Sequence, residues 1–221
     1  FIIRNVKVRG GPYDDGLSLS AVNDARLESA SITVGGGGIR IAYSTDLTIL
    51  GNVVVGSNEG ISLTRSQNIY VVANNITRGS QGILVEDSSC VVLLNNMLSE
   101  NDANGILLSH AVNSTIEGNT INETAFRAIA LFDSSKTVVN RNQIISSGEE
   151  CLYLLGGGGN TVIQNELSSC EWAGISVMRS NDNVLKDNFV AATPWGIALY
   201  ESCGNLVARN RVANASVGNP M

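Results

Sequence analysis

The feature that most limits what this chain can fold into is a repeat. The stretch Gly105-Ile-Leu-Leu-Ser-His-Ala-Val-Asn-Ser-Thr-Ile-Glu-Gly-Asn-Thr-Ile121 holds two short runs in which apolar and polar residues alternate. The same unit begins at Gly16, Gly38, Gly60, Gly82, Gly105, Ala128, Cys151, Gly174 and Gly196, in steps of 22 or 23 residues. Runs of this length with a period near two read as strands, and no stripe of helical period crosses them. A unit this small cannot bury an apolar face alone, so nine of them at a fixed period predict a stacked array. Each unit touches only its neighbours, which lets the array grow past ordinary domain size around one core.

The alternation assigns side chains to the inside and the outside. One and three residues past each start lie apolar pairs such as Ile61 and Leu63, Ile83 and Val85, Ile106 and Leu108, and Ile175 and Val177. These face inward. Six residues past the start Ser recurs, as Ser44, Ser66, Ser88, Ser134, Ser180 and Ser202. Further on, Asn recurs as Asn52, Asn75, Asn96, Asn119, Asn142, Asn165, Asn188 and Asn210, with an aliphatic such as Val72, Leu93 or Ile116 three residues before it. In the coil from Gly16, Ala30 stands in that place. Strands stacked about 4.7–4.9 Å apart let an inward Asn bond both backbone and its own equivalent in the next coil. The Asn and Ser rows are therefore read as structural.

The pattern Gly-Ile-x-Leu-x-x-Ser…Asn-x-x-Ile-x-x-Asn-x-Ile resembles the right-handed parallel β-helix repeats of the carbohydrate-binding and sugar-hydrolase group. That group includes the periplasmic copper-maturation protein of nitrous oxide reductase and the alginate epimerases. The resemblance covers nearly the whole chain. It implies an all-β, right-handed single-stranded parallel β-helix of about nine coils. Leucine-rich repeats also carry one Asn per unit, but need Leu five residues before it. Here those positions hold Tyr70, Val91, Ser114, Thr137, Asn160, Asn183 and Asn205.

Composition narrows the function. Net charge is −6, with 15% charged residues, and no basic run is interleaved with aromatics, so no nucleic-acid partner is expected. No apolar stretch reaches the length of a membrane span. Residues 1–221 read as a single β-helix domain, either a segment of a longer protein or an assembling unit. The bare strand at Phe1-Ile-Ile and the short tail after Val212, with Pro220, predict open ends and end-to-end self-association. Cys90, Cys151, Cys170 and Cys203 are expected to be free, mostly buried thiols, the distance from Cys170 to Cys151 being counted as four extended residues. Sequons at Asn75, Asn113, Asn122 and Asn214 occur about as often as chance allows, and Asn75 is expected to be inaccessible.

Function then belongs to the outer surface. Outward positions of the first strand run from polar (Ser18, Ser62, Thr64) to apolar and aromatic (Leu84, Leu107, Phe132, Tyr153, Met178, Tyr200). An exposed apolar stripe suggests a covering partner, and Phe132, Tyr153 and Tyr200 are candidates to stack on sugar rings. The turn after that strand carries Tyr43, Arg65, Asp87, His110, Asp133, Gly156, Arg179 and Glu201. His110 between Asp87 and Asp133, with Arg65 and Glu86 near, is a candidate general acid or base toward a sugar acid. No cofactor is expected; the one metal that the resemblance implies is Ca²⁺, which lyases of this fold bind through clustered Asp and Glu beside an Arg, and the densest such cluster here is Glu86/Asp87/Asp133. The Asp-Pro-His signature of the epimerases is missing, and one His with three Met offers copper little. Glu150 and Glu171 could meet near Trp172, but paired carboxylates on turns are usually just solvated. The expectation is a non-catalytic extracellular or cell-envelope module that binds a polysaccharide or protein partner on its outer strand face. The alternative is a polysaccharide lyase, epimerase or hydrolase acting on an acidic glycan.

Overall fold

A computed structural model describes residues 1–214. Each coil gives one strand to each of three parallel sheets. Sheet I has nine strands, from Leu17–Ser20 to Trp195–Tyr200. Sheet II has ten, from Ile2–Arg4 to Leu206–Ala208, and sheet III has ten, from Lys7–Arg9 to Arg211–Ala213. Among the described residues there is no helix, so the leucine-rich architecture is excluded.

Register is constant along the stack. On sheet I, Ile39, Ile61, Ile83, Ile106, Ile129, Leu152 and Ile175 pair in sequence, and all are fully buried. Sheet II contributes Leu27, Ile49, Val71, Leu93, Ile116, Val139, Val162 and Leu185 to the same core, and sheet III contributes Ile76, Leu98, Ile121, Ile144, Leu167 and Val190. Each such side chain gains about 1.5–3 kcal/mol from burial. A slip of one residue would turn a whole column outward. At the coil start glycine is needed for close approach: a Cβ on Gly60 would meet the Gly82 carbonyl oxygen and the Ile76 side chain.

The Asn row is an internal hydrogen-bond ladder, with one correction. The residue in the row is Asn74, with Val71 three positions before it, while Asn75 points outward on the strand Asn75–Thr77. The Asn75 sequon is thus exposed. Asn52 donates from its backbone and from Nδ2 to Asn74 Oδ1, both at 2.9 Å. Asn74 does the same to Asn96, and the chain of bonds continues through Asn119, Asn142, Asn165 and Asn188 to Asn210. Each Nδ2 also reaches a main-chain carbonyl, as Asn119 reaches Leu93 O at 2.9 Å. Polar groups that the bend strips from water are paired in this way. The Ser row works likewise: Ser44 N donates to Ser66 Oγ at 3.1 Å, and that hydroxyl donates to Thr64 O at 2.9 Å. In the later coils Asn160, Asn183 and Asn205 form a second amide ladder, Asn160 Oδ1 accepting from the Thr137 backbone N–H.

The cysteine expectation is also corrected. Cys151 and Cys170 form a disulfide, with Cα atoms 5.5 Å apart. Ser147, which pairs with Cys170 in register, is separated from Cys151 by a bend through Gly148 and not by extended chain. The bend brings the two thiols together. Cys90 and Cys203 are free, but Cys90 is only half-buried and Cys203 is exposed.

Candidate functional site

Two groups of chemistry-bearing side chains lie outside the core. The first is the turn between sheets I and II. Tyr43, Arg65, Asp87, His110, Asp133, Arg179 and Glu201 all occupy the left-handed backbone region, with φ between 46° and 52°. The turn sets their direction, and they form a ladder running up the stack. Arg65 Nε lies 3.5 Å from Asp87 Oδ2, and Arg65 Nη1 donates to Tyr43 Oη at 2.9 Å. These two partners hold the Arg65 guanidinium pKa above its ordinary value, Tyr43 contributing most. His110 Nε2 is 3.8 Å from Asp133 Oδ2, and His110 Nδ1 is 3.0 Å from Ser109 Oγ. Glu86 ends the strand beside Asp87 and is half-buried. Every side chain in this row is open to water: those of His110 and Asp133 are each 63% exposed.

The second group is where the chain turns from sheet III into sheet I. Backbone bonds place Phe126, Glu149, Trp172 and Trp195 in one row on successive coils. Phe126, Trp172 and Trp195 are exposed aromatics. One residue on, Arg127 stands beside Glu150 of the next coil. Arg127 Nε donates to Glu150 Oε2 at 2.8 Å, and its Nη2 lies 2.7 Å from Glu149 Oε2 as an ion pair without an aligned hydrogen bond. The guanidinium also sits 4.5 Å from the centre of the Tyr153 ring. Glu150 is buried, so Arg127 is what compensates its charge. Arg127, Glu149, Trp172 and Tyr200 border a cleft of about 480 Å³ whose floor is the outward row Tyr153, Ser176 and Met178.

The structure thus distributes the expected site residues over two places. His110, Asp87, Asp133 and Arg65 share the exposed ladder. Tyr153 and Tyr200 belong to the cleft. Phe132 is half-buried and meets Tyr153 edge to face at 5.9 Å. Tyr153 lies beneath Arg127, so that ring face is taken, and its hydroxyl touches Met178 Sδ at 3.4 Å. Burial pushes the Tyr153 phenol above its usual pKa, with Arg127 pulling the other way. Tyr200 and Trp172 keep exposed rings at the cleft. Glu150 and Glu171 do not meet: Glu150 lines the cleft, whereas Glu171 lines a separate groove of about 730 Å³ with Arg78, Glu100, Asp102 and Glu123. The sequence reading names the acidic pair Glu149-Glu150 but missed Arg127, its pairing with them and the placement of Trp172. Their signal was the 23-residue spacing that relates Phe126 to Glu149, Glu149 to Trp172 and Trp172 to Trp195.

Three parallel sheets, coils of constant length and an internal amide ladder define a parallel β-helix. The chain belongs to the family described as periplasmic copper-binding protein (NosD), whose profile matches residues 2–171. A right-handed β-helix profile matches residues 128–218. No curated protein matches by sequence. Among solved structures, the periplasmic alginate epimerase AlgG aligns with TM-score 0.74 and 12% identity, over 86% of this chain and 61% of that one. PfbA, a surface adhesin of Streptococcus pneumoniae, aligns with TM-score 0.75 and 14% identity, over 90% of this chain and 62% of that one. The A-module of the mannuronan C-5 epimerase AlgE6 from Azotobacter vinelandii aligns with TM-score 0.70 and 15% identity, over 98% and 67%. At these identities the likeness shows the fold. The chain spans just over three fifths of the length of the first two structures.

The family description raises copper. Such sites are built from thiolate, thioether and imidazole donors. His110 is on the exposed ladder, Met97 is on sheet III and Met178 is on sheet I. Cys151 and Cys170 are joined, and among the described residues no three His, Cys, Asp or Glu side chains converge. The described donors do not fit a copper site.

Proposed function

We propose that this chain binds a glycan across the outer face of sheet I, in the cleft bordered by Arg127, Glu149, Trp172 and Tyr200. The observation that carries this reading is a concave site pairing exposed aromatic rings with carboxylates fixed by an ion pair. Aromatic faces take the apolar face of a sugar ring, and fixed carboxylates accept hydrogen bonds from its hydroxyls. The parallel stack sets Trp172 and Trp195 one coil apart, so a chain of sugars can run along the solenoid. The disulfide favours an oxidising compartment, in keeping with an extracellular or cell-envelope location. Of the proteins of similar fold, PfbA is named as a surface adhesin and the epimerase AlgG as periplasmic.

A second reading keeps the turn ladder as an enzyme site: His110 as acid or base, Asp87 and Asp133 beside it, Arg65 toward an acidic glycan. The 3.8 Å approach of His110 to Asp133 favours it. The openness of the row to water counts against it. A glycan array followed by calorimetry tests the first reading, with Trp172→Ala losing about tenfold or more in affinity. Product analysis tests the second, since any turnover should be lost in His110→Ala.

A further inference from the structure

The chemistry of the cleft goes further than the glycan-binding reading on which this inference rests, and specifies the class of sugar. The cleft holds one cation, Arg127, and it is already held by Glu149 and Glu150. The next guanidinium along, Arg179, is 3.1 Å from Glu201. Two carboxylates against one guanidinium leave the cleft with an excess negative charge. The groove on the other side of the same turn adds Glu100, Asp102, Glu123 and Glu171 against Arg78. The whole chain carries −6. Glu149 Oε2 is buried against Arg127, and the side chain as a whole is 35% exposed. No described residue donates a hydrogen bond to Oε1 of Glu149 or Glu150.

A site with free acceptors, an occupied cation and negative surroundings recognises a donor. A uronate carboxylate would bring a like charge into it, and like charges at close range cost several kcal/mol. An ammonium group would be drawn to Glu149 and would add a charge-assisted hydrogen bond. We propose that the cleft selects amino sugars, with the ring stacked on Trp172 and the ammonium group at Glu149, and rejects uronate chains.

The test compares three oligomers of equal length by calorimetry: a glucosamine hexamer with free amines, its N-acetylated counterpart and a hexauronate. The proposal expects the free-amine hexamer to bind about tenfold more tightly than the acetylated one. It expects the hexauronate to bind weakest. Raising salt should narrow the gap between the two hexosamines, because screening weakens the ammonium–carboxylate attraction. Glu149→Gln should remove most of the preference for the free amine, weakening the free-amine hexamer more than the acetylated one. Equal binding of both hexosamines, or tightest binding of the hexauronate, would overturn the amino-sugar inference while the glycan-binding reading stood. Binding of none of the three, with no other glycan retained on an array, would overturn both.

Discussion

The turn ladder of His110 and the cleft of Arg127 are made from the same residue types and behave as opposites. Both set arginine against carboxylates and a tyrosine, on successive coils. On the ladder, Arg65 and Asp87 are 59% and 49% exposed, and their charges are shared with water. At the cleft, the Arg127 and Glu150 side chains are 25% and 9% exposed, and the guanidinium lies on an aromatic ring. An exposed pair is worth about 0–1 kcal/mol. A pair withdrawn from water becomes interdependent, because removing either partner strands the other. The contrast shows that a row of charges in a β-helix is withdrawn from water only where a neighbouring element shields it. Here the shielding comes from two successive bends, one carrying Glu149 and Glu150 and the next carrying Trp172.

That contrast makes a graded set of predictions. The largest effects belong to buried partners. Asn74→Ala removes an acceptor used twice by Asn52 and leaves Ile49 O without its donor. It should cost about 3 kcal/mol in denaturant unfolding. Its sequence neighbour Asn75→Ala should change stability by less than about 0.5 kcal/mol. Similar costs for the two would contradict the inward and outward assignment. Reducing the Cys151–Cys170 bond, or replacing both residues with Ser, should cost about 3 kcal/mol for a loop of this length. It should also weaken the cleft, since the bond ties the bend of Glu150 to that of Trp172. Arg127→Ala should cost about 2 kcal/mol, because Glu150 is then buried without a partner. Arg127→Ala combined with Glu150→Gln should recover part of that loss. At the small end, His110→Ala and Asp87→Ala should each shift stability by less than about 0.5 kcal/mol, as exposed turn residues do.

The sequence carried the fold plainly, because the period, the inward aliphatic pairs and the Ser and Asn rows agree on one architecture. It misled where two residues of one kind adjoin. Asn74 and Asn75 both satisfy the pattern by eye, but the offset of 14 residues from each coil start selects Asn74 in every regular coil. A slip of one position sends a strand residue to the opposite face. The disulfide was hidden because distance along an extended strand says nothing across a bend, and Gly148-Glu149-Glu150 folds the chain back. The cleft was hidden for a related reason. Its residues come from five successive coils, Arg127, then Glu149, then Tyr153 with Trp172, then Met178, then Tyr200, and meet only when the bends are aligned as carefully as the strands. The ladder of His110, Asp87 and Asp133 was legible because it lies one step beyond a strand whose register was already known.

The most direct measurement titrates one glycan ligand against three proteins in parallel: the unaltered chain, Trp172→Ala and His110→Ala. If the cleft is the binding site, Trp172→Ala should lose about tenfold or more in affinity, the loss of one stacking ring at about 1.4 kcal/mol per factor of ten. His110→Ala should bind as the unaltered chain does. Full binding by Trp172→Ala together with loss in His110→Ala would contradict the account and move the site to the exposed ladder.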